Sequence, residues 1–431
     1  MVVTIEKLIY GGEGLAHHDG HTVFVPFVLP GEVAEVETIE NKKKFIRGRA
    51  RSLLAASPER ATPPCRHFTE CGGCHYQHIP YEAQLRYKTQ ILQEALGRIG
   101  RIAWDGPITV HASPPLGYRN RAQWKVRPVA RGNGQQQGSG AIALGYFRAG
   151  SSALCAVEEC PILSPRLEET MAALSAALAK GEFTAALREI EAFVDAGGKK
   201  VLLNASFAGF PVAADRLGAK FRDAVPWLES LLLIDTTRGR MELFGPGFLK
   251  YEAGGATYRV GHMSFFQVNR FLVEEMAATV AKEAAEGGRL ALDLYSGVGL
   301  FTLPLAKSYE RVISVEANPA SARDLEENIR TNQSHADPQN ASVEDFLLKW
   351  KETPDLAVLD PPRAGVEPGA LARLAELAPA RIIYVSCEPS TLARDLAALV
   401  REGYALEEVH LFDLFPETFH IESLVRLARR P

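Results

Sequence analysis

The sequence predicts an α/β fold joined to a β fold. An N-terminal OB-like β-barrel is expected to precede a central α+β segment bearing cysteines and a C-terminal Rossmann-like domain. Three observations predict this. Short apolar runs separated by Gly turns fill the first 58 residues. Cysteines cluster at 65, 71 and 74, with two more at 155 and 160. From about residue 255, strand-like and helix-like stretches alternate regularly, the pattern of a parallel sheet flanked by helices. The expected domains are 1–58, 59–254 and 255–431, since 431 residues are too many for one core.

In the first segment the strand-like runs are Val2–Ile9, Thr22–Phe27, Glu32–Ile39 and Phe45–Leu54. Lys42 to Arg51 carries six basic residues around Phe45, which fits either a phosphate-tracking groove or a solvated edge strand protected by its charges. Ser57 to Pro64 reads as a linker. Periodicity then predicts a helix over Tyr81–Leu96, stopped at Gly97, and further helices over 166–181 and 212–225. The polar run Gly132–Gly140 is expected to be a disordered hairpin tip. Tyr118–Arg127 mixes basic and aromatic residues and suits either nucleic acid or a solvated strand face.

The last segment gives the clearest reading. A helix over 268–286 leads to a strand at 289–295. Then come a strand at 311–316, a helix opening at Pro319, a strand at 355–359 and a helix at 368–377. A strand at 381–386 and a helix at 390–402 complete the series. In such sheets, ligands bind at the carboxyl ends of the strands.

Composition narrows the classes. The chain is 46% hydrophobic and 23% charged, with no apolar run of eighteen residues, so no membrane span is expected. No signal peptide is visible, and six clustered cysteines suit a reducing cytoplasm and a metal site better than disulfides. The net charge of −4 gives no global basic field, so nucleic-acid binding must rest on local patches.

Three strand ends carry the candidate chemistry. Asp293-Leu-Tyr-Ser-Gly297-Val-Gly299-Leu-Phe301 has the form of a cofactor turn, with Glu316 placed one strand later to hold a ribose diol. The third Gly of a dinucleotide fingerprint is absent. Asp293 and Glu316 would repel phosphates, so a cationic, phosphate-free cofactor such as S-adenosylmethionine fits. Asp360 ends the next strand, and Cys387 the one after. A free cysteine is commonly a small buried hydrophobe. At Cys387, however, a helix N-terminus follows, which favours a thiolate. Cys65, Cys71 and Cys74, with Cys160 or Cys155 as the fourth thiol, fit zinc or an iron–sulfur cluster equally by spacing. In Asp413–Ser423, Glu422 is a possible general base, and His420 reads more readily as a packed residue.

Taken together, these residues closely resemble the RNA 5-methyluridine methyltransferase family, in the 23S rRNA type with a TRAM domain and a 4Fe-4S cluster. The resemblance runs nearly the full length. Residues 1–58 look like the TRAM domain, and Phe265–Asn269, Asp293–Phe301, Asp360–Gly365, Ser386–Cys387 and Phe415–Ser423 match further motifs in order. It implies that Cys65, Cys71, Cys74 and Cys160 hold the 4Fe-4S cluster, leaving Cys155 as an extra.

It also implies that S-adenosylmethionine meets Gln267, Tyr295, Leu300, Glu316, Asp345 and Asp360, and that Phe265 stacks on a flipped target base. Cys387 would attack carbon 6 of uracil, and Glu422 would remove the carbon 5 proton. The implied protein is a cytoplasmic monomer acting on RNA, 23S rRNA before the transfer RNA T-loop. A weakly catalytic RNA-binding protein of the same fold is the rival, because Glu388 stands where the family usually has Asn.

Overall fold

Residues 1–128 and 142–430 are described by the computed structural model, so the expected hairpin tip at Gly132–Gly140 lies outside the described residues. In the N-terminal segment, every second residue of Val33–Ala34–Glu35–Val36 and of Phe45–Gly48 turns inward, as the pleat requires. Val3, Val23, Val25, Val36 and Ile46 pack there as one core. Six strands surround it, Val2–Thr4, Lys7–Leu8, Glu13–His18, His21–Pro26, Val33–Asn41 and Phe45–Ala55. The sequence missed Glu13–His18, whose glycine-flanked start lacks an apolar run, and merged the first two strands into one. The expected linker is anchored. Arg60 reaches back to the buried Glu32 at 2.7 and 2.8 Å, and to the Phe27 carbonyl at 2.9 Å.

Arg47, Arg49 and Arg51 alternate along Phe45–Ala55 and stand exposed on one face, where they pair with Glu13 and Glu37. The Tyr118–Arg127 stretch is less available than its composition implies. Tyr118 and Trp124 are fully buried, and Arg121 donates to the Ser264 carbonyl at 3.0 Å.

Two larger sheets follow. The central one has seven strands and is covered by helices Pro165–Ala179 and Ala214–Ala224, close to their expected bounds. Leu167, Met171 and Leu174 lie on one helix face and pack on Trp124 and Leu203 of the sheet.

The C-terminal sheet has eight strands. Its order is Asp337–Asn340, Tyr309–Glu316, Gly288–Leu294, Leu356–Leu359, Arg381–Ser386, Glu422–Arg429, Tyr404–Phe412 and Ile108–His111. The first five are mutually parallel, as the alternation predicts. Glu422–Arg429 is antiparallel to both its neighbours, so the sheet is mixed. Helices Val273–Glu283, Pro319–Thr331, Pro368–Leu377 and Pro389–Arg401 correspond to the expected ones.

Two pieces of the 59–254 segment join this sheet. Ile108–His111 pairs parallel with Tyr404–Phe412 and forms its edge. Helix Tyr81–Arg98 packs Ile91, Leu92 and Leu96 into the same core as Leu292, Leu359 and Tyr384. No helix among the described residues is long and apolar enough to cross a membrane.

Candidate active site

The cofactor turn begins at Asp293, at the buried end of Gly288–Leu294. Tyr295, Gly297 and Gly299 all take positive φ (64°, 57° and 95°), so the backbone doubles back on itself. Glu316 ties that turn down, accepting from the Gly297 amide at 2.8 Å and the Asn318 amide at 2.6 Å. Asp293 Oδ2 accepts from Thr302 at 2.6 Å, whereas its buried Oδ1 has no partner. An orphaned buried carboxylate oxygen beside a tight turn is a place where a ligand donor or cation is wanted.

Acidic groups crowd this end of the sheet. Burial pushes the Asp293 carboxyl up to about 7, with Glu316 adding to the effect. Asp360 is likewise raised to about 7 by burial and by the charges of Asp293 and Glu316. Glu422 is held well above the usual carboxylate range, by burial first and then by Asp360. Cys387 is pushed up to about 12 by burial and by the charges of Glu422 and Asp360. The thiolate expected from the following helix N-terminus is therefore outweighed in the free protein. A cation introduced here would relieve the whole set. The donor set thus fits S-adenosylmethionine, whose sulfonium is cationic and which carries no phosphate.

Arg363 is the residue that sequence reasoning passed over. Its guanidinium opposes the upward shifts of both Cys387 and Glu422. The Asp360-Pro-Pro-Arg363 phrase was the available signal, but nothing in it revealed which way the arginine faces.

The other predicted positions fall as follows. Tyr295 donates to Glu367 at 2.7 Å. Leu300 and Gln267 are buried, and the Gln267 carbonyl accepts from Asn120 at 3.1 Å. Asp345 is exposed and bonded to Ser342, which caps helix Val343–Lys349. Phe265 is 59% exposed, unusual for an aromatic. It lines a cleft of about 310 Å³ with His262 of its own segment and Arg121, Glu191 and Asn204 of the central one. His420 is packed by Phe415 and Phe419, and burial lowers it to about 3, which leaves its ring neutral.

Helix Tyr81–Arg98 holds the loop that leads to Glu422. Lys88 donates to Asp413 at 2.6 Å and to the Phe415 carbonyl at 3.0 Å, with both charged side chains fully buried. The Gln84 side chain meets Glu417 twice, donating to its carboxylate at 3.0 Å and accepting from its backbone N–H at 2.9 Å.

The cysteines form a second neighbourhood. Cys71 and Cys160 are raised to about 11, mainly by burial, with neighbouring thiols adding to it. Cys74 is raised by burial and then by Cys160 and Cys71. Cys155 is buried among apolar residues, 4.0 Å from His67. Among the described residues no three His, Cys, Asp or Glu side chains are gathered to hold a metal ion.

Comparison with known proteins places these features. The TRAM domain family matches residues 1–50, the TRM5/TYW2 methyltransferase domain 255–356, and the tRNA (Uracil-5-)-methyltransferase family 341–430. The 23S rRNA (uracil(1939)-C(5))-methyltransferase RlmD of Salmonella paratyphi A is 34% identical, over 100% of this chain and 96% of its own. An uncharacterized RNA methyltransferase of Thermosynechococcus vestitus is 31% identical over 98% of this chain and 97% of its own. The crystal structure of Pyrococcus abyssi tRNA (uracil-54, C5)-methyltransferase with S-adenosyl-L-homocysteine superposes with a TM-score of 0.77. It is 26% identical and covers 99% of this chain and 100% of that one. With a full-length relative at this identity and an acidic, phosphate-averse cofactor turn, the chain belongs to the S-adenosylmethionine-dependent RNA uracil-C5 methyltransferases that carry an N-terminal TRAM domain.

Proposed function

We propose that the protein methylates carbon 5 of a specific uridine in 23S rRNA through a transient bond between Cys387 Sγ and carbon 6 of the uracil. The observation that carries this is the shared environment of Cys387, Asp360, Glu422 and Arg363 at adjacent strand ends. Carbon 5 of uracil is a poor nucleophile. Addition of a thiolate at carbon 6 moves electron density onto carbon 5 and makes it reactive. S-adenosylmethionine, when bound, supplies a methyl group on a sulfonium. Gln267, Tyr295, Leu300, Glu316, Asp345 and Asp360 would hold it, and Phe265 would stack on the flipped uracil. Glu422, with its raised proton affinity, takes the carbon 5 proton, and the electron pair left behind expels Cys387.

The preference for 23S rRNA is supported by the full-length relative at 34% identity, against 26% for the transfer RNA enzyme. The test supplies methyl-labelled S-adenosylmethionine with unmodified 23S, 16S and bulk transfer RNA, followed by nucleoside digestion. Label is expected as 5-methyluridine in 23S rRNA. Label in transfer RNA alone would overturn the substrate, and label in none would overturn the activity.

Cys65, Cys71, Cys74 and Cys160 are proposed to hold a 4Fe-4S cluster that shapes the fold or the RNA surface. Their buried thiols raise one another's proton affinity, which supports a shared neighbourhood, and the resemblance to the cluster-bearing family type favours an iron–sulfur cluster over zinc. Anaerobically purified protein should absorb broadly in the visible. A colourless, zinc-bearing protein would remove the cluster from the account.

A further inference from the structure

Tyr10 lies in the turn between barrel strands Lys7–Leu8 and Glu13–His18, yet its ring packs against the core of the C-terminal sheet. It meets Phe419 edge-on, with centroids 5.5 Å apart at 88°. Its hydroxyl donates to the Cys387 carbonyl at 3.3 Å, across 377 residues of sequence. Gly12 permits this approach. It has φ +85°, and a Cβ there would meet His75 Cβ at 3.2 Å and Phe419 Cδ1 at 3.3 Å.

Glu388 supplies a second, independent observation. It is the N-cap residue of helix Pro389–Arg401, where a carboxylate ordinarily accepts from the first-turn amides. It makes no such bond, and its charge, after burial, raises the proton affinity of the Tyr10 hydroxyl, so the carboxylate lies on the Tyr10 side of the helix start. An anion free to move beside Cys387 would oppose formation of the thiolate.

We infer that Tyr10 is a positioning residue of the methyl-transfer site, so that the N-terminal barrel completes the active site rather than only gripping RNA. Its hydroxyl fixes the Cys387–Glu388 link and holds the Glu388 carboxylate off the sulfur. The inference rests on Cys387 being the nucleophile.

The experiment uses the full-length protein, S-adenosylmethionine and RNA carrying 5-fluorouridine. Carbon 5 of that base has no proton to lose, so the adduct persists through a denaturing gel. Wild type, Tyr10→Phe and Tyr10→Phe/Glu388→Gln are compared for the rate of adduct formation, and for kcat and KM with ordinary RNA. Tyr10→Phe keeps the ring packing, so KM for RNA should hold while adduct formation and kcat slow about five- to tenfold. Adding Glu388→Gln should recover most of that loss. An unchanged adduct rate in Tyr10→Phe, a rise in KM alone, or a loss that Glu388→Gln does not relieve would each overturn the inference. If wild type itself forms no adduct, the nucleophile reading fails first. A wild-type adduct with normal Tyr10→Phe kinetics sinks the role of Tyr10 alone.

Discussion

Replacing Cys387 with alanine should abolish methyl transfer, lowering turnover by roughly 10⁴-fold or more while RNA binding is retained. The side chain sits just past Ser386, where the last parallel strand ends and helix Pro389–Arg401 begins. The other described cysteines all lie between 65 and 160, so none can replace it from a neighbouring position in the chain. Glu422→Gln should behave differently. It leaves Cys387 able to add, but removes the group that takes the carbon 5 proton. Labelled methyl should then accumulate in a protein–RNA adduct stable to denaturation. Single-turnover assays with labelled cofactor and a denaturing gel separate the two variants. Turnover by Cys387→Ala within tenfold of wild type would rule out the covalent route.

The second large effect is on stability. Lys88→Met should destabilise the protein by about 3–5 kcal/mol, because it strands the fully buried carboxylate of Asp413 without its cation. The same change frees the Phe415 carbonyl, at the start of the loop that delivers Glu422. Activity should therefore fall along with the urea midpoint. Lys88→Met/Asp413→Leu should recover most of the lost stability, since replacing both charges of a buried pair by apolar groups is often close to neutral. If the double variant is as unstable as the single one, the cost lies in packing and not in the stranded charge.

The sequence made the C-terminal alternation legible because its parallel strands are covered on both faces. Leu356–Leu359 and Ile382–Ser386 are buried at every position, and such runs announce themselves. Tyr404–Phe412 and Glu422–Arg429 were not legible. Glu407, Glu408 and Arg426 interrupt their apolar pattern, and those charges pair with one another only once the strands are side by side. Asp337–Asn340 has little strand character and is recruited by its neighbour Tyr309–Glu316. Ile108–His111 is the extreme case, an edge strand whose partner lies about three hundred residues later.

The site divides in the same way. Cys387, Asp360, Glu422 and the glycine turn could be read from motifs at strand ends. Arg363, Tyr10 and Lys88 could not, since each acts through a contact set by tertiary packing. The direction of the Cys387 shift was also hidden. A helix N-terminus is visible in a sequence, but the burial and the two carboxylates that outweigh it are not.

The long-range tie between Lys88 and Asp413 also bears on how the chain is made. A ribosome adding about 5–20 residues per second needs roughly 15–65 s to travel the 325 residues between them. Until the strands from Gly288–Leu294 onward emerge, Ile91, Leu92 and Leu96 have no sheet to cover, and Lys88, destined for a dry interior, stays in water for the whole interval. The nascent N-terminal half must therefore wait first for that sheet, with an apolar helix face open to chaperones or to other emerging chains, and then for Asp413 before its buried ion pair can close.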